Sequence, residues 1–147
     1  FLLMALEFRS WPVGLLCMVP LSVEIVASYG AIGLATGRYD MPIAVCSTLA
    51  LGLSVDFAIH FMERVRIRHH ETRDLADAVA YVFGVPGLAI VRNAIVISVG
   101  FLPLVLSTLT PYVTVGLLFA GLMIAGAVAT LFVLPALLRV LGARALA

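Results

Sequence analysis

Asp56 is a carboxylate inside an apolar run, with Gly52 four residues before it and His60 four residues after. In an α-helix that spacing puts all three on one face. An ionisable group in hydrocarbon costs at least ~2.5–3.5 kcal/mol on insertion scales, so it marks a functional site by default. Burial disfavours the charged form of a carboxyl group. A carboxyl that gains or loses its charge as water reaches it is the part a proton-driven machine needs. His60, one turn further on, either stabilises the charged form and passes a proton on, or is an interfacial histidine beside Glu63. Gly52 on the same face is expected to allow close helix packing. Ser54 points off the Asp56 face and ranks lower.

Three more polar residues sit in apolar surroundings. Glu24 reads equally well as a neutral acid hydrogen-bonded to a neighbouring helix and as a second proton site. Asn93 offers hydrogen bonds from another span. Ser98 is expected to bond back to its own helix.

These residues need helices to position them, and the composition provides them. Of 147 residues, 63% are hydrophobic and 12% charged, with mean hydropathy +1.18. Apolar runs long enough to span a bilayer recur, which predicts an integral membrane protein. The expected class is all-α, a polytopic transmembrane bundle. Its spans fall at about 1–6 (the tail of a preceding helix), 11–36, 42–62, 88–109 and 113–141. Pro20 lies inside the second, and its missing N–H frees a carbonyl. The chain opens at Phe1 inside an apolar run, so a fragment of a longer protein is expected. Residues 72–83 read as a short amphipathic helix on the membrane surface. Asp74 and Asp77 stand at its start, Leu75, Val79 and Val82 form its apolar stripe, and Gly84 and Pro86 stop it.

At 1.5 Å per residue, Asp56 lies ~21 Å from the Pro42 end of its span and Glu24 ~18 Å from the Thr36 end of its own. Those ends share one membrane surface, so the two carboxyls sit at similar depth. Gly121 and Ala125 make a small-xxx-small pair suited to helix packing. Gly116, Gly121 and Gly126 recur every five residues and form no single stripe.

All the cationic side chains other than histidine are arginines. Arg9, Arg64, Arg66, Arg68, Arg73, Arg92, Arg139 and Arg144 fall on one side and Arg38 on the other. The arginine-rich side is therefore expected to be cytoplasmic, with the C-terminus there. Cys17 and Cys46 lie within spans and read as buried free thiols. His69, His70 and Glu71 read as a solvated charged run, since adjacent histidines do not face one way on a helix. There is no phosphate-binding glycine loop, nucleophilic triad or metal-ligand spacing, so neither an enzyme nor a cofactor is expected; any driving energy comes from an ion gradient. No basic patch interleaved with aromatics points to nucleic acid.

The run Gly52-Leu53-Ser54-Val55-Asp56-Phe57-Ala58-Ile59-His60 resembles the Gly-x-x-x-Asp-Tyr/Phe signature of the resistance-nodulation-division (RND) superfamily, in its MMPL-like and hopanoid-exporter-like branch. Phe8-Arg9-Ser10-Trp11, Glu63-Arg64-Val65-Arg66, the amphipathic connector, Gly100-Phe101-Leu102-Pro103-Leu104 and Leu134-Pro135-Ala136-Leu137-Leu138 follow in the matching order. The resemblance covers nearly the whole chain. It implies a partial transmembrane domain over 1–147, one half of a twelve-span transporter of a bacterial inner membrane. Membrane carboxylates in that superfamily relay protons and drive export of hydrophobic or lipidic substrates. It implies Asp56 as the relay residue, and Asn93 more loosely. Phe57 lacks the tyrosine hydroxyl of the commonest MMPL pattern. The implied partners are the other half and the periplasmic domains of the same transporter, membrane lipids, and further copies of the chain as an open alternative. Two rival readings share this architecture: a sterol-sensing-like lipid-binding module and a SecD/SecF-like protein-export subunit.

Overall fold

The computed structural model describes residues 1–35 and 40–141. Arg38, in the expected turn after the second span, and Arg144 lie outside the described residues. Among the described residues six α-helices follow one another: α1 (Leu2–Phe8), α2 (Trp11–Ala35), α3 (Met41–Thr72), α4 (Leu75–Val82), α5 (Val85–Phe101) and α6 (Thr110–Leu141). A 3-10 turn, Leu102–Leu106, follows α5. Four stretches are long and apolar enough to cross a membrane: Trp11–Leu34, Met41–Thr72, Leu75–Leu106 and Thr110–Leu141.

Helix α6 is the centre of the bundle, with α2, α3 and α5 packed around it. Its side chains Phe119, Leu122, Met123, Leu134 and Leu138 are buried there. Both cysteines are buried and free. In a helix apolar on every side, small residues decide where backbones approach. At Gly116 an added Cβ would sit 2.9 Å from the Phe101 carbonyl oxygen. One turn on, Phe119 stacks on Phe101 with centroids 4.0 Å apart. Gly14 does the same at the first corner, where an added Cβ would lie 3.0 Å from the Ala5 nitrogen.

Gly52 and Gly121, expected to mediate packing, meet no other helix among the described residues. No described atom lies within 4 Å of a Cβ built at either position. A small residue permits close approach, but the choice of face comes from the neighbouring helices. The close contacts of α6 fall at Gly116 and Gly126 instead.

Helix α3 runs ten residues past the span end expected at Met62. Glu63, Arg64, Arg66 and Arg68 are good helix formers, so a change of solvent does not end the helix. It stops at Arg73, which is left-handed (φ 56°) with its N–H on the His69 carbonyl. At 1.5 Å per residue its 32 residues reach ~48 Å, beyond a hydrocarbon layer of ~30 Å.

The protruding turns of α3 give α4 a protein surface to pack on. Asp74 caps α4, accepting from the Ala76 N–H at 2.8 Å. Arg68 bonds Asp77 at 2.9 Å, and its guanidinium sits 5.1 Å from the Tyr81 ring centroid. The apolar side of α4, Ala78, Val79 and Val82, is buried. Of the expected stripe, Val79 and Val82 face the protein and Leu75 is partly buried. In the same charged stretch, His69 is not fully solvated, because its Nδ1 is buried without a hydrogen-bond partner among the described residues.

Arg66 ties the extension to the first corner. It donates to the Phe8 carbonyl at 2.8 Å and lies 5.7 Å from the Phe8 ring centroid, filling an acceptor the end of α1 leaves open. Arg66→Met keeps the stem and removes both contacts. A loss of about 1–2 kcal/mol is expected, read as a lowered unfolding midpoint in detergent, with Arg66→Lys falling between.

Helix α5 ends at Phe101 because Pro103 has no N–H to give and its ring crowds the preceding turn. Ser98 corrects a further expectation. Its hydroxyl donates to the Ala120 carbonyl of α6 at 3.1 Å, across helices and not back along its own.

Candidate functional site

Helix α3 presents two chemistries on opposite sides. Ser54 and Asp56 are two residues apart, about 200° around the helix. Ser54 points into the bundle and is 1% exposed. Asp56 points out and is exposed, as are Gly52 and His60. The predicted face is therefore real as a face, and it lies on the outside of this chain.

On the inner side, Ser54 donates to Glu24 Oε1 at 2.9 Å. Glu24 is also 1% exposed. The similar depth expected for the two carboxyls is what allows this. Glu24 meets α3 at the level of Asp56, and its partner is Ser54. Helix α6 closes the contact with Gly126, where an added Cβ would lie 2.5 Å from Ser54 Oγ and 2.8 Å from Glu24 Oε2. Sequence reasoning set Ser54 aside and did not single out Gly126 for packing. Depth was the available signal: Gly126 lies ~24 Å from the start of α6, level with Asp56 in α3.

On the outer side, His60 Nδ1 is 4.0 Å from Glu63 Oε2, both side chains exposed. His60 also lines a cavity of about 440 Å³ between α3 and the α4–α5 elbow. Phe57, Arg64, Tyr81 and Asn93 share that lining. The structure thus brings His60 and Asn93 to one cavity and places Asp56 one turn of α3 beyond it. Glu24 is on the other side of the helix. Phe57 is buried and gives the cavity wall a ring without a hydroxyl. Arg64 carries no hydrogen bond or ion pair among the described residues, unlike Arg66 and Arg68.

The elbow that places Asn93 depends on Gly84, Pro86 and Gly87. Gly84 and Pro86 stop α4 and start α5. A Cβ at Gly87 would sit 2.6 Å from the Val82 carbonyl oxygen, so the turn closes only around a glycine. Among the described residues no cluster of three or more His, Cys, Asp or Glu could hold a metal ion.

Four apolar stretches of spanning length define a multi-pass membrane protein. The MMPL family matches residues 1–147, the whole chain. The chain belongs to the MMPL family, whose members are membrane transporters and not enzymes. It is similar to a membrane protein of Methanocaldococcus jannaschii, 28% identical over 137 residues, which is 93% of this chain and 35% of that relative. The chain thus spans about a third of that relative's length. No solved structure matches.

Proposed function

We propose that this chain is part of the membrane domain of a proton-driven RND-type exporter of hydrophobic or lipidic substrates, with Asp56 carrying the proton. The observation behind this reading is an intramembrane carboxylate on an outward face of α3, one turn from a histidine that lines a cavity together with Arg64 and Asn93. An aspartate facing lipid costs several kcal/mol, so the Asp56 face calls for a cover. A second half of the same transporter is the cover this reading assigns. Once covered, Asp56 takes a proton from one side and releases it through the cavity lined by His60 and Asn93. His60 accepts it or stabilises the charged aspartate, and Asn93 orients the water between them. The arginine-bearing end, with Arg9, Arg64, Arg66 and Arg68, is assigned to the cytoplasm. The C-terminus goes with it, in an inner membrane.

The test uses the full-length parent protein in proteoliposomes under an imposed proton gradient, comparing wild type with Asp56→Asn. Lumenal pH and efflux of a fluorescent lipid are both read. Asn keeps the shape and cannot change charge, so both signals are expected to fall at least tenfold with folding intact. Unchanged proton flux sinks the relay. It would favour the sterol-sensing-like reading, which draws on the apolar groove of about 380 Å³ between α2 and α6. No feature of the bundle favours the protein-export reading.

A further inference from the structure

The arginines at the end of α3 are not used alike. Arg66 is held on the Phe8 carbonyl, and Arg68 on Asp77 and Glu71. Arg64, one turn before Arg68, has no such partner among the described residues and lines the cavity of about 440 Å³ between α3 and the α4–α5 elbow. Tyr81 and Asn93 line it too, and their side chains make no hydrogen bond among the described residues. A guanidinium, a phenol and a carboxamide all offer N–H or O–H donors. No acidic residue belongs to the lining. Glu63, 4.0 Å from His60 Nδ1, is Arg64's neighbour in the chain but not part of the wall. The cavity therefore holds an uncompensated cation beside apolar side chains, among them Val85, Pro86 and Ile90.

Depth says what such a space can take. Counted from Met41, a hydrocarbon layer of ~30 Å uses about twenty residues of α3 and ends near Phe61. Counted back from Leu106, it ends in the first turn of α5. Arg64 and Tyr81 therefore stand at headgroup level, while Asn93, ~12 Å along α5 from Val85, lies within the hydrocarbon. The wall also continues downward. Ala89, Asn93, Val96 and Gly100 follow at helical spacing on one face of α5, and all four are exposed. At Gly100 nothing described lies within 4 Å of an added Cβ. An acyl chain covers such a track, whereas a free phosphate leaves it bare. The cation is also of the right type. A guanidinium pairs a phosphate through two parallel hydrogen bonds, and basic pockets between membrane helices take acidic headgroups. Tyr81 is already oriented, because Arg68 sits 5.1 Å from its ring centroid.

We propose that this cavity binds an anionic phospholipid, its phosphate paired with Arg64 and hydrogen-bonded by Tyr81 at the mouth, its acyl chain lying along the Ala89, Asn93, Val96 and Gly100 face of α5. The site rests on the placement of the chain in a membrane and not on proton transport. A headgroup at the mouth leaves the deeper Asn93 side chain to the water of the exporter reading.

The experiment is native mass spectrometry of the full-length protein released from vesicles of equal phosphatidylglycerol and phosphatidylcholine with the same acyl chains. The lipid retained by each protein molecule is counted. Wild type is expected to keep one phosphatidylglycerol, preferred about fivefold, the factor that one arginine near the membrane surface supplies. Arg64→Gln should bring that ratio close to one, and Tyr81→Phe should lower it in part. Arg139→Gln removes the same charge from the last turn of α6, outside the lining, and should change nothing. Ala89→Phe keeps every charge but fills the cavity, so it should lose the retained lipid. Unfolding midpoints check that each variant is folded, and Ala89→Phe carries the test if Arg64→Gln is not. No preference in wild type, or an unchanged one in Arg64→Gln, overturns the site. Equal losses in Arg64→Gln and Arg139→Gln reduce it to general surface charge and overturn it too. Full retention in Ala89→Phe overturns the cavity as its place. Displacement of phosphatidylglycerol by inorganic phosphate overturns the lipid as its occupant. Failure of the Asp56 reading would show in proton flux and leave these ratios untouched.

Discussion

Gly126→Ala is expected to destabilise the bundle by about 2–3 kcal/mol, the upper range for an added methyl that a packed interior cannot absorb. The new carbon would arrive 2.5 Å from Ser54 Oγ and 2.8 Å from Glu24 Oε2. Neither atom yields easily. Ser54 Oγ donates to Oε1 of the same carboxyl across α2 and α3, so relief requires α6 to back away or the bond to break. Breaking it leaves a buried hydroxyl and a buried carboxyl without partners, itself worth about 1–3 kcal/mol for each group. The control is Gly121→Ala, one turn and a residue away on the same helix. Nothing described lies within 4 Å of its new Cβ, and alanine is the better helix former by up to ~1 kcal/mol. It is expected to be neutral or mildly stabilising. Adding Ser54→Ala to Gly126→Ala removes the nearest clashing atom, so the double variant should recover part of the loss. Unfolding midpoints of the full-length protein in one detergent check all three, and equal midpoints for Gly126→Ala and Gly121→Ala would refute the three-helix contact.

The same pair of glycines shows what the sequence can and cannot reveal. In a chain this apolar, spans are legible from length alone. The depth of Glu24 and Asp56 follows from counting residues from the turn between them. Rotation is not legible, because a helix that is hydrophobic all round carries no periodic stripe to say which side faces inward. Gly121 and Gly126 look alike for that reason, and only the position of Glu24 and Ser54 separates them. Ser54 is hard to single out because its charged neighbour dominates the pattern, while the hydroxyl on the opposite face makes the contact. The length of α3 was hidden for another reason. Polarity changes at Glu63, but helix propensity does not, and propensity decides where the helix stops. The α4 stripe is legible as apolar, but the protruding turns of α3 against which Val79 and Val82 pack are not.

Gly87→Ala is expected to cost as much as Gly126→Ala, about 2–3 kcal/mol, with a functional consequence the other lacks. Here the obstacle is main chain: the Val82 carbonyl oxygen lies 2.6 Å from where the Cβ would be. A side chain can change rotamer, but a carbonyl at the end of α4 moves only with the helix. That helix is anchored on its other side by Arg68, which bonds Asp77 and lies over Tyr81. The strain therefore opens the elbow between α4 and α5. Tyr81 belongs to one side of that elbow and Asn93 to the other, and both line the cavity that His60 enters. Opening it separates Asn93 from His60 without touching Asp56. On the exporter reading, Gly87→Ala should slow proton flux several-fold while Asp56 still carries the proton. Leu88→Ala, at a half-exposed neighbouring position, should leave flux near wild type. Arg68→Ala frees α4 from its anchor, so in the Gly87→Ala background it should restore part of the lost flux. If Arg68→Ala instead adds its own full penalty, the two residues act independently and the elbow does not control the cavity.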